Sequence, residues 1–216
     1  MLVAIDGPAG TGKSTIAEML AKKLYGKDGK LFTYINSGNL YRAITLGCLR
    51  ADIDIKDVEA VLAYAKAAAL KYHEGRLYLD GEMIEDLLRD EEVEQNVSPV
   101  SAIIPIRHVV NDHIRTIADG LNAVVEGRDM TTAVFPTAKY RFFLDASIKE
   151  RAKRRFDQGI SKRSLEEIEC AIAERDSMDR NKPEGRLYLG EGVEYLDTSD
   201  LTINQVCDTL LKRIQE

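Results

Sequence analysis

An eight-residue segment near the start of the chain carries residue types that suit the binding of phosphate groups. It reads Gly7-Pro8-Ala9-Gly10-Thr11-Gly12-Lys13-Ser14 and matches the pattern G-x-x-x-x-G-K-[ST] at every specified position. Glycines let backbone N–H groups turn toward phosphate oxygens, and Lys13 is expected to reach the β- and γ-phosphates of a nucleoside triphosphate. The Ser14 hydroxyl is expected to ligate Mg²⁺. This segment, with Thr15 after it, predicts a site for ATP and magnesium.

The residues on either side of this segment predict the elements that would hold it in place. Residues 2–5 form a short apolar run typical of a buried strand, and from Ser14 onward apolar residues recur at helical spacing until Gly26. A strand that leads into the loop and a helix that leaves it would direct the helix N-terminus at the phosphates. A chance match in a glycine-containing turn is the alternative, and the two flanking elements argue against it.

Further strands and helices alternate along the chain. Apolar runs predict strands at residues 31–35, 123–125, 141–144 and 193–196, and helical spacing predicts helices at residues 40–50, 58–70 and 105–120. Alternation around Asp80-Gly81 predicts a hairpin at residues 75–83. Capping boxes predict that three later helices start at Ser147, Ser164 and Thr202. Together these predict an α/β protein with the P-loop NTPase fold, a five-stranded parallel sheet flanked by helices.

The composition limits the classes of partner. The chain has 216 residues, a formal net charge of −6 and three cysteines that form no metal-type spacing. An acidic chain has no overall basic field for nucleic acid or an anionic membrane, and no apolar stretch is long enough to span a bilayer. We therefore expect a cytoplasmic protein with reduced thiols and one domain over residues 1–216. A monomer is expected because no coiled-coil seam is visible.

Two other classes of phosphate-binding protein fit less well. Asn181-Lys182-Pro183-Glu184 resembles the guanine-reading motif N-K-x-D of GTPases, but its last residue is Glu and no D-x-x-G motif occurs elsewhere. Motor and unwinding ATPases are usually larger and depend on partners or repeated subunits. The segment at residues 7–14 therefore favours a phosphotransferase.

Four further segments carry polar residues that a simple core would not need. They are Ser37-Gly38-Asn39-Leu40-Tyr41-Arg42 after the second strand, Ser98 with Arg107, Gly127-Arg128-Asp129 after the third strand, and Arg175, Asp179 and Lys182 on one helical face. Ligands of parallel sheets bind beyond the carboxyl ends of the strands, where the first and third segments should meet the phosphate loop. Arginine forks suit a phosphate dianion, a carboxylate suits ribose hydroxyls, and a hydroxyl or a donor suits a base edge. Each arginine taken alone favours a solvated surface position or a structural ion pair, whereas the whole set predicts a site for a nucleoside monophosphate acceptor.

These segments, in this order, resemble the bacterial type of cytidylate kinase along nearly the whole chain. Residues 5–15 look like that family's P-loop, and Ser37-Gly38 with Tyr41-Arg42 is similar to its acceptor-site turn. Residues 79–82 fall in the insertion typical of its NMP-binding region. Val97-Ser98, Arg107 and residues 126–130 with 134–136 follow in the family's order. Residues 150–155 resemble the start of its lid, 174–179 its lid-closing helix and 196–199 its last strand. The combination is specific, although several pieces alone are not.

The resemblance implies transfer of the γ-phosphate of ATP to CMP and dCMP, with an NMP-binding insertion at about residues 37–105 and a short lid at about residues 151–183. It implies that the acceptor phosphate is held by Ser37, Arg42, Arg128 and Arg175. Cytosine would be read by Ser98, Arg107 and Asp179, and the sugar by Asp129, with Tyr41 and Lys182 completing the site. Arg151 and Arg155 would belong to the lid and, with Lys13, Arg128 and Arg175, neutralise charge on the transferring group.

The chain departs from the family's pattern at three positions. Asn36 stands where the family usually has Asp, Thr131 where it has Gly, and Lys182 where it has Arg followed by an Ala-Pro-Leu segment. Lysine lacks the two-pronged geometry of arginine, and Arg186 is a candidate to replace it. Residues 158–163 look short for the family's lid. Two rival interpretations stay open, a kinase for another nucleotide or metabolite and a nucleotide-binding protein without catalysis.

Overall fold

The computed structural model describes residues 1–27, 29–73, 75–159 and 163–215. The chain divides into two compact units, the core unit (Met1–Tyr34 and Asn122–Glu216) and the inserted unit (Ile35–Leu121). Residues 160–162, which fall in the predicted lid and in the segment that looks short, lie outside the described residues.

The described residues form eight strands and eight α-helices. In chain order they are β1 (Leu2–Asp6), α1 (Lys13–Lys23), β2 (Thr33–Asn36), α2 (Ser37–Arg50), α3 (Val58–Ala67), β3 (Leu70–His73), β4 (Arg76–Leu79), β5 (Glu82–Met83), α4 (Glu91–Ala102), α5 (Ile104–Ala118), β6 (Ala123–Gly127), β7 (Tyr140–Asp145), α6 (Ile148–Asp157), α7 (Leu165–Asn181), β8 (Glu194–Asp197) and α8 (Ile203–Gln215). A 3₁₀ turn at Glu85–Leu87 precedes α4, and a single π-helical turn at Met130–Val134 follows β6.

A five-stranded sheet with the order β2-β6-β1-β7-β8 organises the core unit. Strand β1 pairs in parallel with β6 on one side and with β7 on the other, and β7 pairs in parallel with β8. Parallel strands reached through crossovers bring their carboxyl ends to one edge of the sheet. The predicted α/β fold and its parallel sheet are confirmed.

Burial explains why these short segments form the central strands. All five residues of β6 and four of the five residues of β1 are buried, as expected where helices cover both faces of a parallel sheet. Ile5 of β1 packs in one cluster with Leu20 of α1 and Leu210 of α8. Each fully buried aliphatic side chain of this kind stabilises the fold by about 1.5–3 kcal/mol.

The three predicted capping positions begin helices, with one difference in detail. Ser164 and Thr202 each form both bonds of a capping box, with Glu167 and Gln205. The Ser147 hydroxyl accepts from the Glu150 N–H, but the Ser147 N–H donates to the Ser199 hydroxyl instead of to a glutamate. The reciprocal half of that capping box was therefore predicted wrongly.

The described residues of the inserted unit form four α-helices, the 3₁₀ turn and a three-stranded antiparallel sheet of order β3-β4-β5. The predicted hairpin at Asp80-Gly81 is confirmed. The predicted helix at residues 58–70 is wrong at its end, since α3 stops at Ala67 and Leu70 pairs with Leu79. The Asp80 carboxylate accepts the N–H of Ala69, which draws the chain out of the helix and into β3. Helix α4 was not predicted.

No helix in the described ranges combines the length and apolar character needed to cross a membrane.

Candidate active site

The phosphate-binding segment lies between β1 and α1 in the core unit, as predicted. A Cβ on Gly7 would lie 2.0 Å from the Leu144 carbonyl oxygen, so glycine is required for the loop to pass strand β7. Gly12 caps α1 with a φ of 86°. A residue with a side chain could adopt this left-handed conformation only with strain. The first N–H groups of a helix have no partner within it, and they attract anions together with the helix dipole. The backbone therefore presents donors at the start of α1.

Lys13 is almost fully buried beside this loop. Its ammonium donates to the Pro8 carbonyl at 2.7 Å. Burial first, and then the nearby Arg128 guanidinium, lower the pKa of Lys13 to about 7, against the opposing charges of Glu126 and Asp6. A bound polyphosphate would favour the charged form, because opposite charge stabilises a buried cation.

Glu126 is a functional candidate that the sequence analysis did not single out. It lies near the end of β6, is only 4% exposed, and accepts a hydrogen bond from the Ser14 hydroxyl at 2.7 Å. The Tyr34 hydroxyl donates to the same carboxylate at 3.3 Å. The signal in the sequence was an acidic residue closing the apolar run at residues 123–125.

This pair of oxygen ligands fits Mg²⁺. Magnesium prefers hard oxygen donors and is usually held by one or two carboxylates together with water and substrate phosphates. Ser14 supplies a hydroxyl and Glu126 a carboxylate. The described part of the chain holds no cluster of three or more His, Cys, Asp or Glu side chains that would form an all-protein cage. The arrangement therefore suits a metal shared with a bound phosphate.

The third and fourth predicted segments meet in the core unit around Asp179. The Arg128 Nε and the Lys182 Nζ donate to different oxygens of its carboxylate, each at 2.8 Å. Burial would raise the pKa of Asp179, but these two cations hold it at about 2. Helix α7 ends at Asn181, so Lys182 lies one residue beyond the helical face predicted for it. Arg175, which lies one turn before Asp179 on α7, is exposed.

Asp129 follows Arg128 and is almost fully buried. Its carbonyl accepts the N–H groups of Ala133 and Val134 and so starts the π-helical turn.

Arg151, which the resemblance assigns to the lid, lies near the start of α6 in the core unit with 2% of its surface exposed. Its guanidinium forms a two-pronged pair with Asp176 of α7 and also donates to the Ala9 carbonyl at 3.0 Å and the Ala146 carbonyl at 2.8 Å. Arg151 thus ties the phosphate loop to α7 and to the end of β7. Arg155, one turn later on α6, is exposed.

The remaining predicted acceptor residues lie in the inserted unit. Ser37 is buried at the start of α2, where the Asn36 side chain accepts the Asn39 N–H and caps the helix. Asn and Asp cap helices about equally well, which explains why the departure at position 36 is tolerated locally. The Arg42 guanidinium pairs with Glu94 at 2.8 Å and donates to the Leu88 carbonyl.

Arg107 and Tyr41 are brought together in this unit. The Arg107 guanidinium lies 5.5 Å from the centre of the Tyr41 ring, a cation–π geometry, and donates to the Ser101 carbonyl at 3.2 Å. Ser98 is exposed on α4, and its carbonyl accepts from the Ser101 hydroxyl. Ser98 and Arg107 therefore both contact Ser101.

Comparison with known proteins places this geometry in one family. A family model for cytidylate kinase matches residues 3–216. The cytidylate kinase of Caldanaerobacter subterraneus subsp. tengcongensis is 40% identical over 217 residues, which cover 99% of this chain and 94% of that protein. Cytidylate kinase 1 of Borreliella afzelii is 38% identical over 218 residues, covering 99% and 96%.

One solved structure, an uncharacterized protein from Eubacterium ventriosum, covers 100% of this chain and 99% of its own with a TM-score of 0.55. At 10% identity this likeness concerns the fold alone. The family model and both relatives, by contrast, match in sequence along nearly the full length, and the chain belongs to the cytidylate kinase family.

Proposed function

We propose that this protein transfers the γ-phosphate of ATP to CMP and to dCMP, giving ADP and the corresponding diphosphate. The observation that carries the proposal is the arrangement of the core unit. One sheet edge holds a phosphate loop with buried Lys13, the Ser14–Glu126 pair, and the Arg128–Asp179–Lys182 cluster. Membership of the cytidylate kinase family supports CMP as the acceptor.

For the donor, residues 7–15 would wrap the triphosphate with backbone N–H groups, and Lys13 would contact its terminal phosphates. Ser14 and Glu126 would hold Mg²⁺, which supplies positive charge against the developing charge of the phosphoryl group. Arg151 would act by fixing the Ala9 carbonyl and hence the shape of the loop. Arg155, exposed on α6, would contact ATP from the lid.

For the acceptor, we propose the following roles. Arg128, Arg175, Ser37 and Arg42 would hold the monophosphate, and Asp129 would bind the sugar hydroxyls. The inserted unit would be the NMP-binding region, with Ser98, Arg107 and Tyr41 near the base. Asp179 would read cytosine. Its two oxygens already accept from Arg128 and Lys182, but a carboxylate has about four acceptor positions, so it keeps capacity for a ligand.

The chemistry needs no general base. The acceptor phosphate is already a dianion and can attack the γ-phosphorus in line, so the chain's work is positioning, charge neutralisation and exclusion of water. The proposed transfer therefore uses no histidine or cysteine side chain. We also propose that the protein acts as a monomer in the cytoplasm.

A panel of acceptors tests the proposal. Purified protein with ATP and Mg²⁺ is given CMP, dCMP, UMP, AMP and GMP in turn, and ADP release is measured. We expect CMP and dCMP to give the highest kcat/KM. Turnover with another nucleotide or metabolite alone would favour the rival kinase, and ATP binding without any acceptor-dependent turnover would favour a non-catalytic protein.

A further inference from the structure

The Asp6 carboxylate is the last side chain of β1 and has no exposed surface. Three donors surround it, and all three come from one short turn. The N–H of Met130 donates to one oxygen at 2.9 Å, and the N–H and the hydroxyl of Thr131 donate to the other at 2.7 and 2.6 Å. In the described part of the chain no salt bridge to Asp6 is formed.

The Asp6 carboxylate lies between the phosphate loop and the segment that carries Arg128 and Asp129. Asp6 directly precedes Gly7, the first residue of the phosphate loop, and lies opposite Gly127 in the β1–β6 register. Its donors directly follow Arg128 and Asp129. The three hydrogen bonds therefore fix the turn that carries these two side chains against the entrance of the phosphate loop.

We propose that Asp6, supported by the Thr131 hydroxyl, is a positioning residue that sets the acceptor-binding side chains Arg128 and Asp129 relative to the donor loop. This inference rests on the proposed phosphotransfer to CMP. It also gives a role to Thr131, which replaces the family's usual glycine. A glycine would keep the backbone bond and lose the hydroxyl bond.

The ionised form of Asp6 is needed, because all three of its partners are donors. A neutral acid or an amide at this place would present a hydrogen toward another donor and lose at least one bond. Burial, the largest effect, raises the pKa of Asp6 to about 6, and Asp129 adds to this, while the Thr131 hydroxyl is the strongest influence in the other direction. The other charged group that senses Asp6 is Lys13, whose pKa it raises. Proton uptake by Asp6 should therefore loosen the turn near pH 6.

The variant that tests this is Thr131→Val, which keeps the side-chain shape and removes only the donor. Loss of a hydrogen bond to a charged carboxylate raises its pKa by about one unit or more. The acid limb of the kcat/KM profile should therefore move to higher pH by about one unit. Thr131→Ser, which restores the hydroxyl, should return the wild-type profile. Thr132→Val is the matched control, since no bond from Thr132 to Asp6 is formed, and it should leave the limb in place. The acceptor's own phosphate titrates identically in all four proteins and cancels in the comparison.

A second measurement does not depend on activity. The ¹³C shift of the Asp6 carboxyl, followed by NMR from pH 4 to 8, should give a pKa that rises in Thr131→Val and not in Thr132→Val. If that pKa rises while the kinetic limb stays in place, Asp6 does not position the site and the inference is wrong, although the proposed function stands. If the wild-type protein turns over no CMP at all, the proposed function fails instead.

Discussion

The Ser14 hydroxyl donates to the Glu126 carboxylate at 2.7 Å, although 112 residues separate them in the chain. The bond links the start of α1, the helix that follows the phosphate loop, to the end of β6, the strand next to β1 in the sheet. A hydroxyl held in this way keeps its lone pairs for a metal ion, and the buried carboxylate offers a second, charged oxygen ligand beside it.

Glu126→Gln should weaken the response to magnesium. The amide keeps the shape of the side chain but loses the charge of a proposed Mg²⁺ ligand. The loss in metal affinity should therefore be at least as large as the roughly 10–100-fold that groups behind a metal's direct ligands account for. We expect kcat/KM at limiting Mg²⁺ to fall by about that factor, with partial recovery at saturating Mg²⁺. Initial rates over a Mg²⁺ titration would measure this. Glu18→Gln, which removes only a surface pair with Lys22, is the control and should match the wild type.

Binding of ATP should be coupled to protonation of Lys13. The pKa of this lysine is lowered to about 7 by burial first and Arg128 next, so above pH 7 the free protein carries the neutral amine. A bound polyanion favours the charged form, and the association constant for ATP should therefore fall between pH 7 and 9, by up to about tenfold per pH unit. Calorimetry at pH 8 in buffers of different ionisation enthalpy should show proton uptake.

Lys13→Arg provides the comparison, because a guanidinium stays charged throughout this range. It should bind ATP without proton uptake. Equal uptake in the wild type and in Lys13→Arg would assign the proton to another group.

Arg175 and Asp176 are neighbours in the chain with opposite expected roles. Arg175 is exposed, so Arg175→Ala should change the free energy of unfolding by less than about 0.5 kcal/mol. The same substitution should reduce transition-state stabilisation by about 2–5 kcal/mol, by analogy with unpairing a buried charge pair. Asp176→Ala leaves buried Arg151 without its partner and should lower the free energy of unfolding by about 3–5 kcal/mol. Urea unfolding beside steady-state kinetics separates the two effects. Unchanged catalytic efficiency in Arg175→Ala would refute its role.

Lys182→Arg should improve acceptor binding. Arginine can grip a carboxylate or phosphate with two parallel bonds, whereas Lys182 now gives Asp179 a single one. We expect the KM for CMP to fall several-fold with little change in the KM for ATP. If the KM for CMP rises instead, the lysine is an adaptation of this site and not a weakened arginine.

Asp179→Asn should reduce stability in a pH-dependent way. Although burial acts to raise the pKa of Asp179, its cation partners hold it at about 2, below the ordinary 3.8, so the ionised carboxylate contributes about 2 kcal/mol above pH 4. This contribution is lost as pH falls through 2. The difference in unfolding free energy between wild type and Asp179→Asn should therefore be present at pH 7 and shrink below pH 4. A difference that stays constant down to pH 2 would contradict the ion pair.

Several elements were predictable because their causes are local. The apolar run at residues 123–125 forms β6, and the helix starts at Ser164 and Thr202 follow from bonds within one turn. Leu70 was wrongly predicted to be helical because its conformation depends on residues elsewhere in the chain. It pairs with Leu79 in the sheet, and the neighbouring Ala69 N–H donates to the Asp80 carboxylate. Arg151 shows the same limit at the site, since no local pattern reveals that Asp176 lies against its guanidinium.

Residue order alone predicted the phosphate loop and the parallel α/β fold, since glycine placement, capping and apolar periodicity act within a few residues. The acceptor residues stay candidates, whose roles come from the resemblance to a family. Folding in three dimensions decided which charges meet. It set Glu126 against Ser14, Asp6 against Thr131 and Arg151 against Asp176, through strand order and burial. The physical reason is that a buried charge is stable only beside its partner, and that partner is chosen by the packing of distant segments.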